Sequence, residues 1–285
     1  MPDTTVFADP SRDLHATKDA VRGVARDLLD RLRQRRPLVH AITNYVSMDV
    51  AANVLLAIGA SPAMVHAIEE VEEFVSFSDA LVVNIGTLST PWIEAMVLAA
   101  RRARERGKPW VLDPVGAGAT RLRDAAVARL LAEKPTLIRG NASEILAVAG
   151  ASGAAGKGVD AGNTTEEARG AAEALAAASG AVVIVSGAVD HVTDGRRRVA
   201  LANGDPLMTR VTATGCALSA VVAAFAGVSD DPFDAGVAAT AVYGVAGELA
   251  AAGAAGGPAT FRTAFVDLLA RIDGETVARH LRVTR

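Results

Sequence analysis

The residues Val211-Thr212-Ala213-Thr214-Gly215-Cys216 stand directly before the apolar run Ala217-Leu218-Ser219-Ala220-Val221-Val222-Ala223-Ala224-Phe225. A β-type run that ends in small residues and passes at once into an apolar helix leaves the first backbone N–H groups of that helix without internal partners. Those groups, with the positive end of the helix dipole, face whatever occupies the turn, and small residues let an anion approach the backbone closely. The single cysteine of the chain sits there. Two readings of Cys216 stand side by side: a thiol whose pKa falls at a helix N-terminus, able to act as base or thiolate, and a small buried apolar residue.

Two further loops carry groups that suit an anion-handling edge. Asp113-Pro114-Val115-Gly116-Ala117-Gly118-Ala119-Thr120 follows the apolar run Trp110-Val111-Leu112, so Asp113 closes a strand, where a carboxylate can hold Mg²⁺ directly or through water. The alternative is a turn residue before proline. In Arg139-Gly140-Asn141-Ala142-Ser143-Glu144, Asn141 and Glu144 are three apart, the spacing of a capping box, and this spacing alone favours the cap. Arg139 is a cation that pairs naturally with phosphate oxygens, or with a surface carboxylate.

Other motifs are excluded. Gly156-Lys157 lies in a glycine-rich stretch, but Gly158 occupies the Ser/Thr position of a P-loop and the spacing is one residue too long. Gly116-Ala117-Gly118 lacks the third glycine of a dinucleotide fingerprint, since Arg121 stands there. His15, His40, His66, His191 and His280 are scattered without metal-ligand spacing and read as surface or locally bonded residues.

The elements that must position these groups follow from periodicity. Val21, Val24, Leu28, Leu29 and Leu32 recur at helical spacing after a polar segment 1–17, read as a flexible tail. Strands are expected at 38–42, 63–66, 80–85, 110–112, 136–138 and 182–185, and helices at 47–58, 91–106, 124–132, 143–149 and 165–178. Thr90 before Pro91 reads as an N-cap, and Thr164 with Glu167 as a capping box. Asp194-Gly195 and Asn203-Gly204 read as hairpin turns, which places antiparallel strands at one edge. Apolar strands alternating with helices predict an α/β fold with a mostly parallel sheet covered on both faces, in one domain over residues 18–285. Ligands of such sheets collect at the carboxyl ends of the strands.

Composition narrows the function classes. The chain has 285 residues, 51% hydrophobic and 4% aromatic, and a formal charge of -3, which gives no reason to expect nucleic acid or an anionic membrane as partner. One cysteine excludes a disulfide framework and fits a reducing, cytoplasmic compartment. The Ala- and Gly-rich segment 235–255 is interrupted by Glu248 and reads as a buried helix and not as a membrane span.

Taken together, the chain resembles the hydroxyethylthiazole kinase family of the ribokinase-like superfamily. The resemblance is carried by Pro37-Leu38-Val39-His40-Ala41-Ile42-Thr43-Asn44, Gly59-Ala60-Ser61-Pro62-Ala63-Met64, Asn84-Ile85-Gly86-Thr87-Leu88, the Asp113 and Arg139 segments, Lys157-Gly158-Val159-Asp160 and the cysteine turn. It implies transfer of the γ-phosphoryl of ATP, with Mg²⁺, to the hydroxyl of 4-methyl-5-(2-hydroxyethyl)thiazole in thiamine salvage, by a homotrimer with active sites between subunits. It also implies residue roles: Met64, Asn44 and Ala213 on the substrate side, Arg139 and Ser186 for ATP, Asp113 and Glu144 for magnesium and phosphate, and Gly215 and Cys216 at the transfer point. Cys216 stands where related kinases carry an aspartate base, and Ala213 where many members have glycine. The competing readings are a ribokinase-like kinase for another small alcohol, such as a pyrimidine or a sugar, and a nucleotide-binding relative without turnover.

Overall fold

The computed structural model describes residues 18–153, 165–253 and 256–284. The 1–17 tail, Thr164 of the expected capping box and Lys157-Gly158-Val159-Asp160 lie outside them. Helix α1 (Lys18–Arg35) turns Val21, Ala25, Leu28, Leu29 and Leu32 inward. Then follow β1 (Leu38–Ile42), α2 (Met48–Ile58), β2 (Ser61–Ala63), α3 (Val71–Phe77), β3 (Ala80–Asn84), α4 (Thr90–Glu105) and β4 (Trp110–Asp113). Next come α5 (Arg121–Leu131), β5 (Leu137–Asn141), α6 (Ala142–Ala151), α7 (Thr165–Ser179) and the run β6 (Val182–Ser186), β7 (Asp190–Thr193) and β8 (Arg198–Leu201). The chain ends with a 3-10 helix (Pro206–Arg210), α8 (Thr214–Ala226), α9 (Pro232–Gly253), α10 (Pro258–Arg271), α11 (Gly274–His280) and β9 (Val283–Thr284).

Among the described residues the strands form one nine-stranded sheet in the order β2-β1-β3-β4-β5-β6-β7-β8-β9. The pairings are parallel from β2 through β6 and antiparallel from β6 through β9. Successive side chains of a strand point to opposite faces. Leu81 and Val83 of β3 therefore join one apolar core with α3 to α7, while Val82 joins the other with α1, α2 and α8 to α10. The chain steps from β1 outward to β2 and returns to β3 on the other side of β1. This reversal opens a crevice at the carboxyl ends of β1 and β3, where open α/β sheets bind ligands.

Several local expectations are corrected. The side chain of Ser89, not of Thr90, caps α4 by accepting the Trp92 N–H at 3.4 Å, because Ser89 holds the extended conformation an N-cap requires. Asp194-Gly195 does join β7 to β8, but Asn203-Gly204 makes no hairpin. Asn203 instead donates to Glu248 and to the His280 carbonyl and accepts from Arg282 N–H, tying the chain after β8 to α9 and the C-terminus. No strand precedes the cysteine turn; the 3-10 helix does, with Val211 as an extended link. The strand expected at 63–66 ends at Ala63, and Met64 begins the segment beyond it. Helix α9 is long and apolar enough to cross a membrane by length and composition, yet 78% of its most apolar window is buried inside the fold, as a core helix requires.

Candidate active site

Helix α8 runs back across the sheet, with Gly227 at its end against Asp79 and Ala80 at the start of β3. Its first turns therefore meet the carboxyl ends of the strands. Ser219 Oγ donates to Asp113 Oδ2 at 2.8 Å, and Asn84 Nδ2 donates to the same oxygen at 2.6 Å. Asn84 Oδ1 accepts from Asn44 Nδ2 at 2.8 Å, and that amide also donates to Cys216 Sγ at 3.4 Å. Asn44 Oδ1 in turn accepts the N–H groups of Val46 and Ser47. A buried polar chain thus links the thiol to the carboxylate across β1, β3 and β4. Burial in this setting is tolerated because nearly every polar atom has a partner.

The exception is Asp113 Oδ1, which is buried with no hydrogen-bond partner. Burial pushes the Asp113 carboxyl up to about 6, against the pull of the Arg139 charge and of its two side-chain donors. A buried carboxylate oxygen left bare is what a cation or its water would satisfy. No group of three or more His, Cys, Asp or Glu side chains among the described residues could hold a metal unaided. This donor set fits Mg²⁺, which is held through one or two carboxylates plus phosphate oxygens and water.

The expectation of a lowered thiol pKa at Cys216 is overturned. Burial pushes the thiol up, and the neighbouring Asp113 carboxyl adds to this, outweighing the donors Asn44 and Asn84 and the Arg139 charge. At neutral pH the sulfur is a thiol.

On the far side of the turn, a cavity of about 570 Å³ is walled by Arg139, Ser186, Thr214, Gly215 and Tyr243 among others. Arg139 Nε and Nη2 both donate to Ser186 Oγ, at 3.0 and 2.7 Å, which aims the guanidinium along the cavity wall. Gly215 lets the guanidinium approach the helix start closely: a Cβ there would meet Arg139 Nη1 at 2.9 Å and push the cation aside. The cation and the N-terminal amides of a 13-residue helix therefore face one place, an arrangement suited to a phosphate. Tyr243 Oη donates to the Thr214 carbonyl at 2.8 Å and fixes the start of that helix.

Ala213 caps α8 in the left-handed region, at φ 65° and ψ 2°. That conformation costs a residue with a Cβ about 1–2 kcal/mol, whereas glycine gives back about 0.5–1 kcal/mol of chain entropy on folding. Ala213→Gly is therefore expected to raise the denaturant midpoint by the equivalent of about 0.5–1 kcal/mol. A lowered midpoint would show that the packing of the Ala213 methyl on the core outweighs the backbone strain.

Glu144 does what its spacing predicted. Asn141 Oδ1 accepts the Glu144 N–H at 2.9 Å while Glu144 Oε2 accepts the Asn141 N–H at 2.8 Å, completing the capping box. Its other oxygen accepts the Gly116 N–H at 3.0 Å, which joins the loop after β4 to the start of α6. Glu144 also acts electrostatically on Asp113. Met64 follows the edge strand β2 and packs, partly buried, on the same core as Ala213. His40 is wholly buried, its Nε2 2.7 Å from the Val65 carbonyl, and burial pulls its imidazole down to about 4, so it is a neutral, locally bonded histidine.

Three residues of this site were missing from the sequence-derived site: Asn84, Ser219 and Gly86. A signal existed for the first two. Asn84 ends the apolar run Ala80-Leu81-Val82-Val83 as Asp113 ends its own, and Ser219 is three residues from Cys216, hence on the same face of α8. Gly86 carried none; a Cβ there would lie 2.5 Å from the Asn44 amide nitrogen, a contact visible only in three dimensions.

Fold and site together define a ribokinase-like small-molecule kinase: a mostly parallel sheet whose carboxyl edge sets a cation-backed helix N-terminus beside a bare carboxylate oxygen. A sequence model of the hydroxyethylthiazole kinase family matches residues 29–275, and the chain belongs to that family. It is 55% identical over 258 residues to the hydroxyethylthiazole kinase of Rhizobium etli, covering 90% of this chain and 99% of that one. It is 51% identical to the hydroxyethylthiazole kinase of Leptospira biflexa, covering 89% and 94%. The solved structure of the hydroxyethylthiazole kinase protein from Pyrococcus horikoshii superposes with a TM-score of 0.85 at 42% identity, covering 92% of this chain and 98% of that one. A pyridoxal kinase from Staphylococcus aureus in complex with AMP-PCP and pyridoxal, at 17% identity and a TM-score of 0.57 over 74% of this chain and 87% of that one, shares the fold.

Proposed function

We propose that this chain transfers the γ-phosphoryl of ATP to the hydroxyl of 4-methyl-5-(2-hydroxyethyl)thiazole, a thiamine-salvage step. The observation that carries the mechanism is the position of Gly215 and Cys216: Arg139 lies against one and Asn44 bonds the other, so phosphate and acceptor meet at one helix start. Phosphoryl transfer asks mainly for alignment and charge neutralisation. Arg139 and the α8 amides offset charge on the transferring group, with Ser186 fixing the guanidinium. Asn44, Met64 and the backbone at Ala213 seat the alcohol. Asp113 and, from the first turn of α6, Glu144 would hold Mg²⁺, which neutralises charge on the phosphate oxygens when bound. The new O–P bond forms as the bridging oxygen of ADP leaves with its electron pair. Because Cys216 is a thiol, it orients the hydroxyl, and the proton leaves with the phosphoryl oxygens. A coupled assay of ADP release with the thiazole alcohol, with and without Mg²⁺, tests the reading; turnover confined to a pyrimidine or sugar alcohol, or ATP binding without turnover, would replace it.

Cys216→Ala is expected to lower kcat about tenfold with little change in the KM for ATP, below the about 10²–10⁴-fold typical of a lost general base. A loss beyond about a thousandfold, measured by initial rates, would restore the sulfur as the base.

The same reading includes one domain over residues 18–285, a cytoplasmic location and a homotrimer. The cysteine is a free thiol, the state a reducing compartment maintains. Exposed Tyr45 and Val46 lie on the loop after β1, next to Asn44 on the acceptor side of the site. Two adjacent exposed apolar side chains beside the site suit cover by another subunit; sedimentation at monomer mass would remove the trimer.

A further inference from the structure

The geometry points to Arg123 as a positioning residue that clamps the acceptor loop to the metal loop. Arg123 stands in the first turn of α5, after Thr120, whose side chain accepts its backbone N–H at 3.4 Å. Its guanidinium leaves the helix and reaches the two loops that follow β3 and β4. Nη1 donates to the Ile85 carbonyl and to the Val115 carbonyl, each at 2.6 Å, and Nη2 donates to the Gly86 carbonyl at 2.9 Å. A single nitrogen thus bridges two chain segments that backbone hydrogen bonding between β3 and β4 holds together only as far as Ile85 and Asp113.

Each clamped segment continues directly into a group of the site. Gly86 runs so close to the Asn44 side chain that a Cβ there would lie 2.5 Å from its amide nitrogen, and Thr87 Oγ1 accepts the Tyr45 N–H at 3.2 Å, so the first segment seats the acceptor side. Val115 lies between Asp113 and Gly116, whose N–H holds the Glu144 carboxylate, so the second segment carries the metal side. Only arginine has a planar fork of donors able to reach several carbonyls at once; a lysine ammonium is a point charge. The clamp touches neither Arg139 nor Ser186, which hold each other independently. Loosening it therefore misplaces alcohol against phosphoryl without weakening nucleotide binding. The inference rests on the kinase reading for its catalytic consequence and on the hydrogen bonds alone for its structural one.

The test uses the full chain with the thiazole alcohol and Mg·ATP. Arg123→Ala is expected to lower kcat about a hundredfold, the scale of an ångström of misplacement, with the KM for ATP within about twofold. Millimolar guanidinium is expected to restore at least about a tenth of the loss in the variant and to leave the wild type unstimulated, because the free cation re-forms the fork. Amide hydrogen exchange is expected to quicken in segments 85–87 and 115–118 together and to slow again with guanidinium. Unchanged kcat, or exchange that is unaltered there or quickened throughout the molecule, overturns the clamp. Where Arg123→Ala does not accumulate as folded protein, Arg123→Lys decides: a lowered kcat at constant KM for ATP supports the clamp, and wild-type kcat overturns it. A wild type without turnover on the thiazole alcohol would refute the substrate reading, and the exchange pattern would then decide on Arg123 by itself.

Discussion

Replacing Arg139 by alanine is expected to raise the KM for ATP by about 10–100-fold while the KM for the alcohol stays within about twofold. Hydrogen bonds to charged groups contribute about 1.5–3 kcal/mol, and each 1.4 kcal/mol is about tenfold in affinity. The selectivity follows from position. The guanidinium is held by Ser186 and lies against Gly215 on the cavity side of the α8 start, while Asn44 approaches from the other side. Arg139→Lys is expected to recover little, since an ammonium is a point charge without the planar fork that holds Ser186 Oγ through two nitrogens and still faces the cavity. Gly215→Ala supplies an independent route to the same defect, because its Cβ would meet Arg139 Nη1 at 2.9 Å and displace the cation. Steady-state kinetics with each substrate varied decides the matter; equal rises in both KM values would point to a folding defect.

Asp113→Asn is expected to lower kcat by about 10²–10³-fold and to raise the Mg²⁺ needed for half-maximal rate, the scale of losing one transition-state charge partner. The same change is expected to stabilise the metal-free protein at neutral pH, and the sign can be worked out. Burial holds the folded carboxyl at about 6 against an ordinary 3.8. Below about pH 4 both folded and unfolded forms are protonated and the group contributes nothing. As the pH rises from about 4 to 6, the unfolded chain ionises first and stability is lost. Above about 6 that loss is complete and amounts to about 3 kcal/mol at most.

Asparagine keeps an acceptor for Asn84 and Ser219 and does not ionise, so it removes this cost, less whatever its own unpaired N–H groups impose. Thermal melts of the metal-free proteins at acid and neutral pH check this: Asp113→Asn should be the more stable only at neutral pH, and added Mg²⁺ should raise the melting point of the wild type more than that of the variant. Equal stability at neutral pH would show that the desolvation cost of the Asp113 carboxylate is no larger than that of the unpaired asparagine N–H groups. An unaltered metal titration would leave Asp113 a structural acceptor at the end of β4. A buried carboxylate that weakens the apoprotein and serves the reaction is a common trade between stability and activity.

The sequence by itself determined the parts whose physics is local. Apolar runs such as Ala80-Leu81-Val82-Val83 and Trp110-Val111-Leu112, alternating with helical segments, read as strands buried on both faces, and the polar residues that follow them mark the edge where chemistry collects. Asn141 and Glu144 specify their capping box by a spacing of three, and Asp194-Gly195 its turn. Motif resemblance added the kinase family, which the comparisons bear out. Only the tertiary structure decided what depends on neighbours distant in the chain. The thiol of Cys216 looks acidic from its helix position, yet burial and Asp113, 103 residues away by numbering, push it the other way. Asn203-Gly204 has the residues of a hairpin, but Glu248, His280 and Arg282 take up Asn203 instead. The bonds from Arg123 to Ile85, Gly86 and Val115 leave no mark on periodicity or motif, because backbone carbonyls have no side-chain identity to read.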